Sequence, residues 1–288
     1  MRKNSQTLTT QSIPALIKQL AIPASIGMFF NTMYNVVDTF YAGLISTQAI
    51  SALTLSFMIF FLIIGFGYGF SSAITALLGN ALGKKRYKLA SIYAHKGLIF
   101  VPLIGLTLSI IGYFFAPSLF MFLGAKDEYL QISLDYINPI LFGAIFFMFN
   151  FSLNSILIAT GDTKTYRNSL IFGFFANLAL NPLFMYGFLF VPAMGIKGIA
   201  FATVLIQIIN MFYLFYKVLQ TKLIHFDKLE YFIPNLRIYK LFFTHGIPSS
   251  LNMLTMAIGS LILTYFVSHY GIQAVAGYGI GYRVEQLM

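Results

Sequence analysis

The sequence predicts an all-α, polytopic membrane protein: a six-helix lobe followed by the start of a second lobe that repeats the first in parallel. Three observations predict it. Apolar runs of roughly 20 residues or more recur along the whole chain, each long enough to cross the hydrocarbon core as a helix. Only 9% of the 288 residues are charged, against roughly 25% in a soluble domain, and the mean hydropathy is +0.81. So few charges cannot coat a water-soluble body of this size. Finally, the basic residues gather in alternate loops, as they do in multi-pass proteins.

The first span runs from about Ile13 to Leu44, after the polar start MRKNSQTLTTQS. It is too long for a signal-peptide core of roughly 7–15 residues, and no A-x-A site follows it. It is read as an uncleaved span. The second covers Ala49 to Leu82 and ends at GKKRYK. The third covers Ser91 to Phe115, closed by Pro117. The fourth covers Tyr129 to Ile158, closed by GDTK. The fifth runs from about Arg167 to Phe190 and the sixth from Gly195 to Lys217. The polar stretch TKLIHFDKLEYFIPNLR follows. The seventh covers Ile238 to Ser268, and an eighth begins near Ile272 and is cut at Met288. The expected division is 1–217 for the first lobe, 218–237 for a cytoplasmic loop and 238–288 for the start of the second. Because the chain stops inside a helix, it is read as a fragment or a truncated product.

Fifteen of the 18 basic residues fall on one side: Arg2, Lys3, Lys18, Lys84, Lys85, Arg86, Lys88, Lys96, Lys164, Arg167, Lys217, Lys222, Lys228, Arg237 and Lys240. Lys126 and Lys197 fall on the other, and Arg283 lies in the eighth span. The N-terminus is therefore expected in the cytoplasm. The net charge of +10 is thus a topology signal, and no nucleic-acid partner is expected. The absence of cysteine excludes disulfides, thiolate metal sites and cysteine nucleophiles. With no Trp, an aromatic belt must rest on the 18 Tyr.

A repeat ties the two ends together. IPASIGMFF from Ile22 lies over IPSSLNMLT from Ile247 at an offset of 225 residues. Seven identities fall in register: Ile22/Ile247, Pro23/Pro248, Ser25/Ser250, Met28/Met253, Thr39/Thr264, Gln48/Gln273 and Ala49/Ala274. The first and seventh spans cross in the same direction, so the repeat is parallel.

Inside the first span, FFNTMYNVVDTFYAG carries Asp38. A carboxylate in a membrane helix is disfavoured by roughly 2.5–3.5 kcal/mol on insertion scales. Asn31, Tyr34, Asn35 and Asp38 follow i, i+3, i+4, i+7 spacing and share one face. That face is expected to look into a cavity, where Asp38 binds an ion or proton; the alternative is a structural hydrogen-bond pair between helices. Asp38 lies six residues before Leu44, about 9 Å below the outer helix end at 1.5 Å per residue. Pro23 kinks the same helix, either as a hinge or as a static bend. In ANLALNPLF, Asn177 and Asn181 share a face and Pro182 frees the carbonyl of Leu178. These oxygens suit a hard cation such as Na⁺, or else interhelical hydrogen bonds.

Other motifs read blandly. GFGYGF, from Gly65, indicates close helix packing. In GDTK, Gly161 suits a helix C-cap and Asp162 or Thr163 the next N-cap. His95, His225, His245 and His269 lie at span ends or in loops and form no spaced metal pair. Asp135 reads as an interfacial carboxylate, and Glu285 and Arg283 stay unassigned.

The IP…NVVDTFYAG run, AISAL, GKKRYKLA, LIATGDTKTYRNS…NLALNPLFMYG and MGIKGIAFAT together resemble the multidrug and toxic compound extrusion (MATE) transporters. The resemblance covers the whole chain. It implies twelve helices in two six-helix lobes, of which about eight are here. It implies export of small organic cations in exchange for H⁺ or Na⁺, with no other cofactor, from a bacterial inner membrane, by a protein that is a monomer when full length. The family's first-helix aspartate corresponds to Asp38 and its kinking proline to Pro23. In one prokaryotic branch that aspartate clusters with positions that are Asn177, Asn181 and Thr203 here; Asn181 departs from that pattern, which has a second carboxylate there. Na⁺ at Asp38, Asn177 and Asn181 is the one metal position in view. Asn154 is a further cavity-lining candidate. With Asn181 neutral, Asp38 is the single titratable group expected in the cluster. Exchange follows if H⁺ or Na⁺ and a cationic substrate stabilise different states. Phe-, Met- and Tyr-rich spans suit an adaptable cavity.

Three rivals remain. A lipid-linked oligosaccharide flippase predicts a basic residue in the cavity of the first lobe to hold pyrophosphate, and none lies deep in spans one to six. An intramembrane enzyme needs a catalytic pair within the bilayer, and none is evident. The third rival is a truncated chain inactive on its own. The position matching Asp38 in the seventh span is Leu263, so the repeat copies the proline and the turn but not the acid.

Overall fold

The structure, a computed structural model, describes residues 11–188 and 191–286. Arg2 and Lys3 of the basic side, Phe190 and Met288 lie outside the described residues. Among those described, the chain forms eight α-helices: α1 (Ile13–Ile45), α2 (Thr47–Gly83), α3 (Tyr87–Phe122), α4 (Asp127–Ala159), α5 (Lys164–Tyr186), α6 (Ile196–Gln220), α7 (Leu236–Ser268) and α8 (Ile272–Glu285). The first seven are long and apolar enough to cross a membrane.

Turn chemistry sets the boundaries. Ser46 caps α2 by accepting from the Ala49 N–H at 3.0 Å, and Asn235 caps α7 through the amides of Arg237 and Ile238. In GDTK, Gly161 takes φ +84° to close α4, and Asp162 does the capping, accepting from the backbone and hydroxyl of Thr165. Two predicted boundaries are corrected. Pro117 does not close the third helix, because one lost amide bond is tolerated in a long apolar helix. The helix runs on to Phe122 and stops where Gly124 turns left-handed (φ +86°). The fifth helix ends at Tyr186 instead of Phe190, because Gly187 adopts φ +76° and Phe188 and Val191 then exchange two backbone bonds. Phe188 continues the hydropathy of the span but not its helix.

Helices α1, α5, α6, α4 and α2 pack in that order around a central cavity, with α3 outside against α2 and α4. Helix α2 also carries α7 and α8, which add Met253 and Arg283 to the cavity wall. Glycine makes these approaches possible, as expected from GFGYGF. A Cβ on Gly69 would stand 2.7 Å from the Gly246 carbonyl and the Ser250 amide of α7, and one on Gly67 would strike the Phe151 ring. Across the same contact, Gly246 receives the ring of Phe70. Small residues on both partners let the backbones approach where lipid offers no hydrophobic drive to pair.

The segment between α6 and α7 is tied to α3. Ser91 donates to the Leu223 carbonyl at 2.6 Å, and Lys96 donates to the carbonyls of Ile233 and Glu230. His95 is fully buried, about two turns into α3, with its Nδ1 against the Ser91 carbonyl and its Nε2 accepting from the His225 amide at 3.0 Å. Its role here is to fix this segment. The interfacial Asp135 pairs with Lys197 at 3.2 Å.

Replacing Gly69 with Ala should lower the unfolding midpoint in detergent through an overpacking cost of about 1–3 kcal/mol, because backbone atoms of Gly246 and Ser250 obstruct the new methyl as well as the Ser250 hydroxyl. Gly79→Ala, which meets nothing within 4 Å, should raise it by up to about 1 kcal/mol through helix propensity. Thermal scans of the two variants beside the parent test these opposite signs.

Candidate functional site

Asp38 is 4% exposed and sits between α1, α5 and α6. Its Oδ1 accepts from Asn177 Nδ2 and Asn181 Nδ2, each at 2.8 Å. Its Oδ2 accepts one longer bond, 3.4 Å, from Thr203 Oγ1. The i, i+4 spacing on α5 lets both amides converge on one oxygen, and Asn181 also donates to Asn177 Oδ1 at 3.2 Å. Tyr34, one turn before Asp38, donates to Thr203 at 3.0 Å. Thr203 is therefore a relay, taking a proton bond from Tyr34 and giving one to Asp38. Asn181 Oδ1 is buried and meets no donor among the described residues. The carboxylate is thus flanked by an unfilled acceptor, an arrangement that can take up a proton or a hard cation.

The Leu178 carbonyl, freed by Pro182, accepts a bond from the Tyr41 hydroxyl at 3.1 Å. Tyr41 lies three residues after Asp38, so α1 repairs the proline defect in α5 directly beside the acid.

The polar stripe divides. Tyr34 and Asp38 join the cluster. Asn35 donates to the Asn31 carbonyl in its own helix, and both line the cavity without touching the acid. Asn154 lines the cavity from α4, with an unpartnered Oδ1 among the described residues. Pro23 and Pro182 lie inside unbroken helices and are not among the lining residues.

The cavity holds about 430 Å³, within the usual range of roughly 300–1,000 Å³ for ligand pockets. Its wall mixes rings, among them Phe57, Phe60, Tyr68, Tyr136 and Phe147, with amides and hydroxyls. Sequence reasoning missed Asn150, Gln207, Asn210 and Arg283 in this wall. Asn150 donates to both oxygens of Gln207. Thr203, Gln207 and Asn210 follow i, i+4, i+7 spacing, the same signal that marked α1, so α6 was readable by the same rule. Arg283 was not readable, because only the packing of α8 on α2 turns it inward. Asp38 is therefore not the only charged group of the cavity.

The MatE family model matches residues 23–183. The chain belongs to the MatE family. It is 30% identical over 290 residues to "Probable multidrug resistance protein YoeA" of Bacillus subtilis, covering 97% of this chain and 62% of that protein. It is 24% identical over 287 residues to "FAD transporter" of Shewanella oneidensis, covering 99% and 63%. It superposes with a TM-score of 0.81 and 28% identity on a solved structure described as the inward-facing conformation of a multidrug resistance MATE family transporter of the MOP superfamily, covering 93% of this chain and 62% of that one. The chain spans about three fifths of the length of these MatE relatives.

Thr203→Val keeps the shape but strips the relay hydroxyl, leaving Tyr34 Oη and Asp38 Oδ2 each short of a partner. It should cost about 1–3 kcal/mol per stranded group, while Thr203→Ser should restore most of the loss. Unfolding midpoints in detergent for the two variants check this.

Proposed function

We propose that this chain forms the coupling lobe of a secondary antiporter that exports organic cations in exchange for H⁺ or Na⁺. The observation that carries the reading is Asp38, buried on the cavity wall with one oxygen doubly bonded, the other weakly bonded and the unfilled Asn181 Oδ1 beside it. An ionised carboxylate in this setting is costly unless a positive partner arrives. A proton or Na⁺ supplies one, and so does a cationic substrate. Two ligands that satisfy the same charge but favour different states of the lobe drive exchange. Asn177, Asn181 and Thr203 orient the acid. Tyr34, Asn31, Asn35 and Asn154 line the path to it, and Pro23 and Pro182 are the bending points of α1 and α5. In this reading, α1 to α6 (1–217) are one lobe, 218–237 is a cytoplasmic connection, and 238–288 opens a parallel second lobe.

A flippase for lipid-linked oligosaccharides expects its basic residue within α1 to α6, whereas Arg283 reaches the cavity from α8. A single guanidinium leaves most of a pyrophosphate charge unmatched, so the antiporter is preferred.

Asp38→Asn retains an oxygen for Asn177 and Asn181 but removes the charge. With the whole reading frame reconstituted in vesicles, it should insert normally and lose ion-driven efflux of an aromatic cation, under a Na⁺ gradient or a pH gradient, whichever drives the parent. Parent-level efflux by this variant would sink the coupling role. The chain contains no cysteine, so single cysteines report sidedness. Lys85→Cys should react with a membrane-impermeant maleimide only after permeabilisation of the cells, and Lys126→Cys in intact cells.

A further inference from the structure

Pro182 has no N–H, so the carbonyl of Leu178, four residues earlier on α5, loses its partner within the helix. Both asparagines of the Asp38 site adjoin this defect. Asn177 directly precedes Leu178, and Asn181 directly precedes Pro182. A helix with one bond missing bends more readily at that point. The two amides that must meet one carboxylate oxygen therefore sit on the weakest turn of α5.

The missing bond is replaced from α1. Tyr41 Oη donates to the Leu178 carbonyl at 3.1 Å. Tyr41 and Asp38 are spaced i, i+3 and share one face of α1. Two points of α1 thus grip the same turn of α5. Asp38 takes the amides of Asn177 and Asn181, each at 2.8 Å, and Tyr41 takes the backbone beside them. A single contact leaves a helix free to rotate about it. Two contacts one turn apart set both its rotation and its axial register. Asn181 depends on this most, because its Oδ1 meets no donor among the described residues and only Nδ2 and the backbone locate it. The Tyr41 ring packs edge-on against Phe40 and against the core. Packing therefore accounts for the ring and leaves the hydroxyl to the bond.

We propose that Tyr41 is a positioning residue of the coupling site: by holding the Leu178 carbonyl, its hydroxyl fixes Asn177 and Asn181 at the distances from Asp38 that set ion affinity. The inference rests on the reading of Asp38 as the coupling-ion site. Tyr41 is not among the residues lining the cavity and acts through α5. Without its hydroxyl, α5 turns at Pro182, the amide bonds to Asp38 lengthen, and ion affinity changes while the cavity wall keeps its side chains.

The test reads ion binding as stabilisation of the fold. With the whole reading frame purified in detergent, the unfolding midpoint is followed across Na⁺ concentration at fixed pH and across pH at fixed ionic strength. The ion that acts at the site is the one whose effect Asp38→Asn removes. Tyr41→Phe keeps the ring and should shift the half-saturating concentration of that ion at least about threefold, the worth of one interhelical hydrogen bond. A purely structural hydroxyl would instead lower the midpoint equally at every ion concentration and leave half-saturation in place. Pro182→Ala returns an amide to Leu178. In that background Tyr41→Phe should shift half-saturation by less than about 1.5-fold, since the two changes act on one bond. Unshifted half-saturation in Tyr41→Phe, or an equal shift with and without Pro182, overturns the positioning role and leaves Asp38 standing as the ion site. Stabilisation by neither ion, or stabilisation that survives Asp38→Asn, overturns the ion site and the positioning role together.

Discussion

A carboxylate buried in a membrane helix must be held by something, and the arrangement of α1, α5 and α6 follows from how Asp38 is held. Two asparagine amides converge on one oxygen and a threonine hydroxyl reaches the other. Each of these donors needs its own support. Asn177 and Asn181 need a helix whose register puts them on one face. Pro182, next to them, breaks the backbone bond at Leu178, and Tyr41 of α1 mends it. Thr203 needs its hydroxyl oriented, and Tyr34 does that. The acid and its two neighbouring tyrosines on α1 therefore bind α5 and α6 to α1 by polar contacts.

The contact of α2 with α7, outside that ring, is built differently. Among the described residues helix α2 has no comparable polar bond to α7; it approaches α7 by giving up side chains. Gly65 receives Met253 and Leu254, and Gly69 receives Ser250 and the Gly246 carbonyl, where a Cβ would stand. At Gly69 part of that contact is backbone, which has no flexible side chain to yield. In the proposed reading, the polar seam at Asp38 responds to protonation or ion occupancy and the small-residue seam does not. Loading Asp38 with a proton or cation would then change the charge of one seam alone, which suits exchange driven by an ion.

The cavity also differs from a simple receptor for cations. Its acid comes from α1 and its base from α8.

Much was legible from the sequence, because membrane helices carry their signal locally. Hydropathy alone determined seven long spans and the start of an eighth. The i, i+3, i+4, i+7 stripe around Asp38 and the paired asparagines of α5 marked two walls of the site before any contact was known, since a polar residue in hydrocarbon has few tolerable places to go. The same rule would have marked α6 through Thr203, Gln207 and Asn210. Helix ends were less legible, because hydropathy reports what lipid tolerates and does not register the backbone sign of Gly124 or Gly187. Only the tertiary structure decided that Tyr41 occupies the Leu178 carbonyl, and that Arg283, indistinguishable in sequence from an interfacial arginine, turns into the cavity. Both depend on the rotation of one helix against another, which is set by the close contacts between them and leaves no periodic trace in either helix alone.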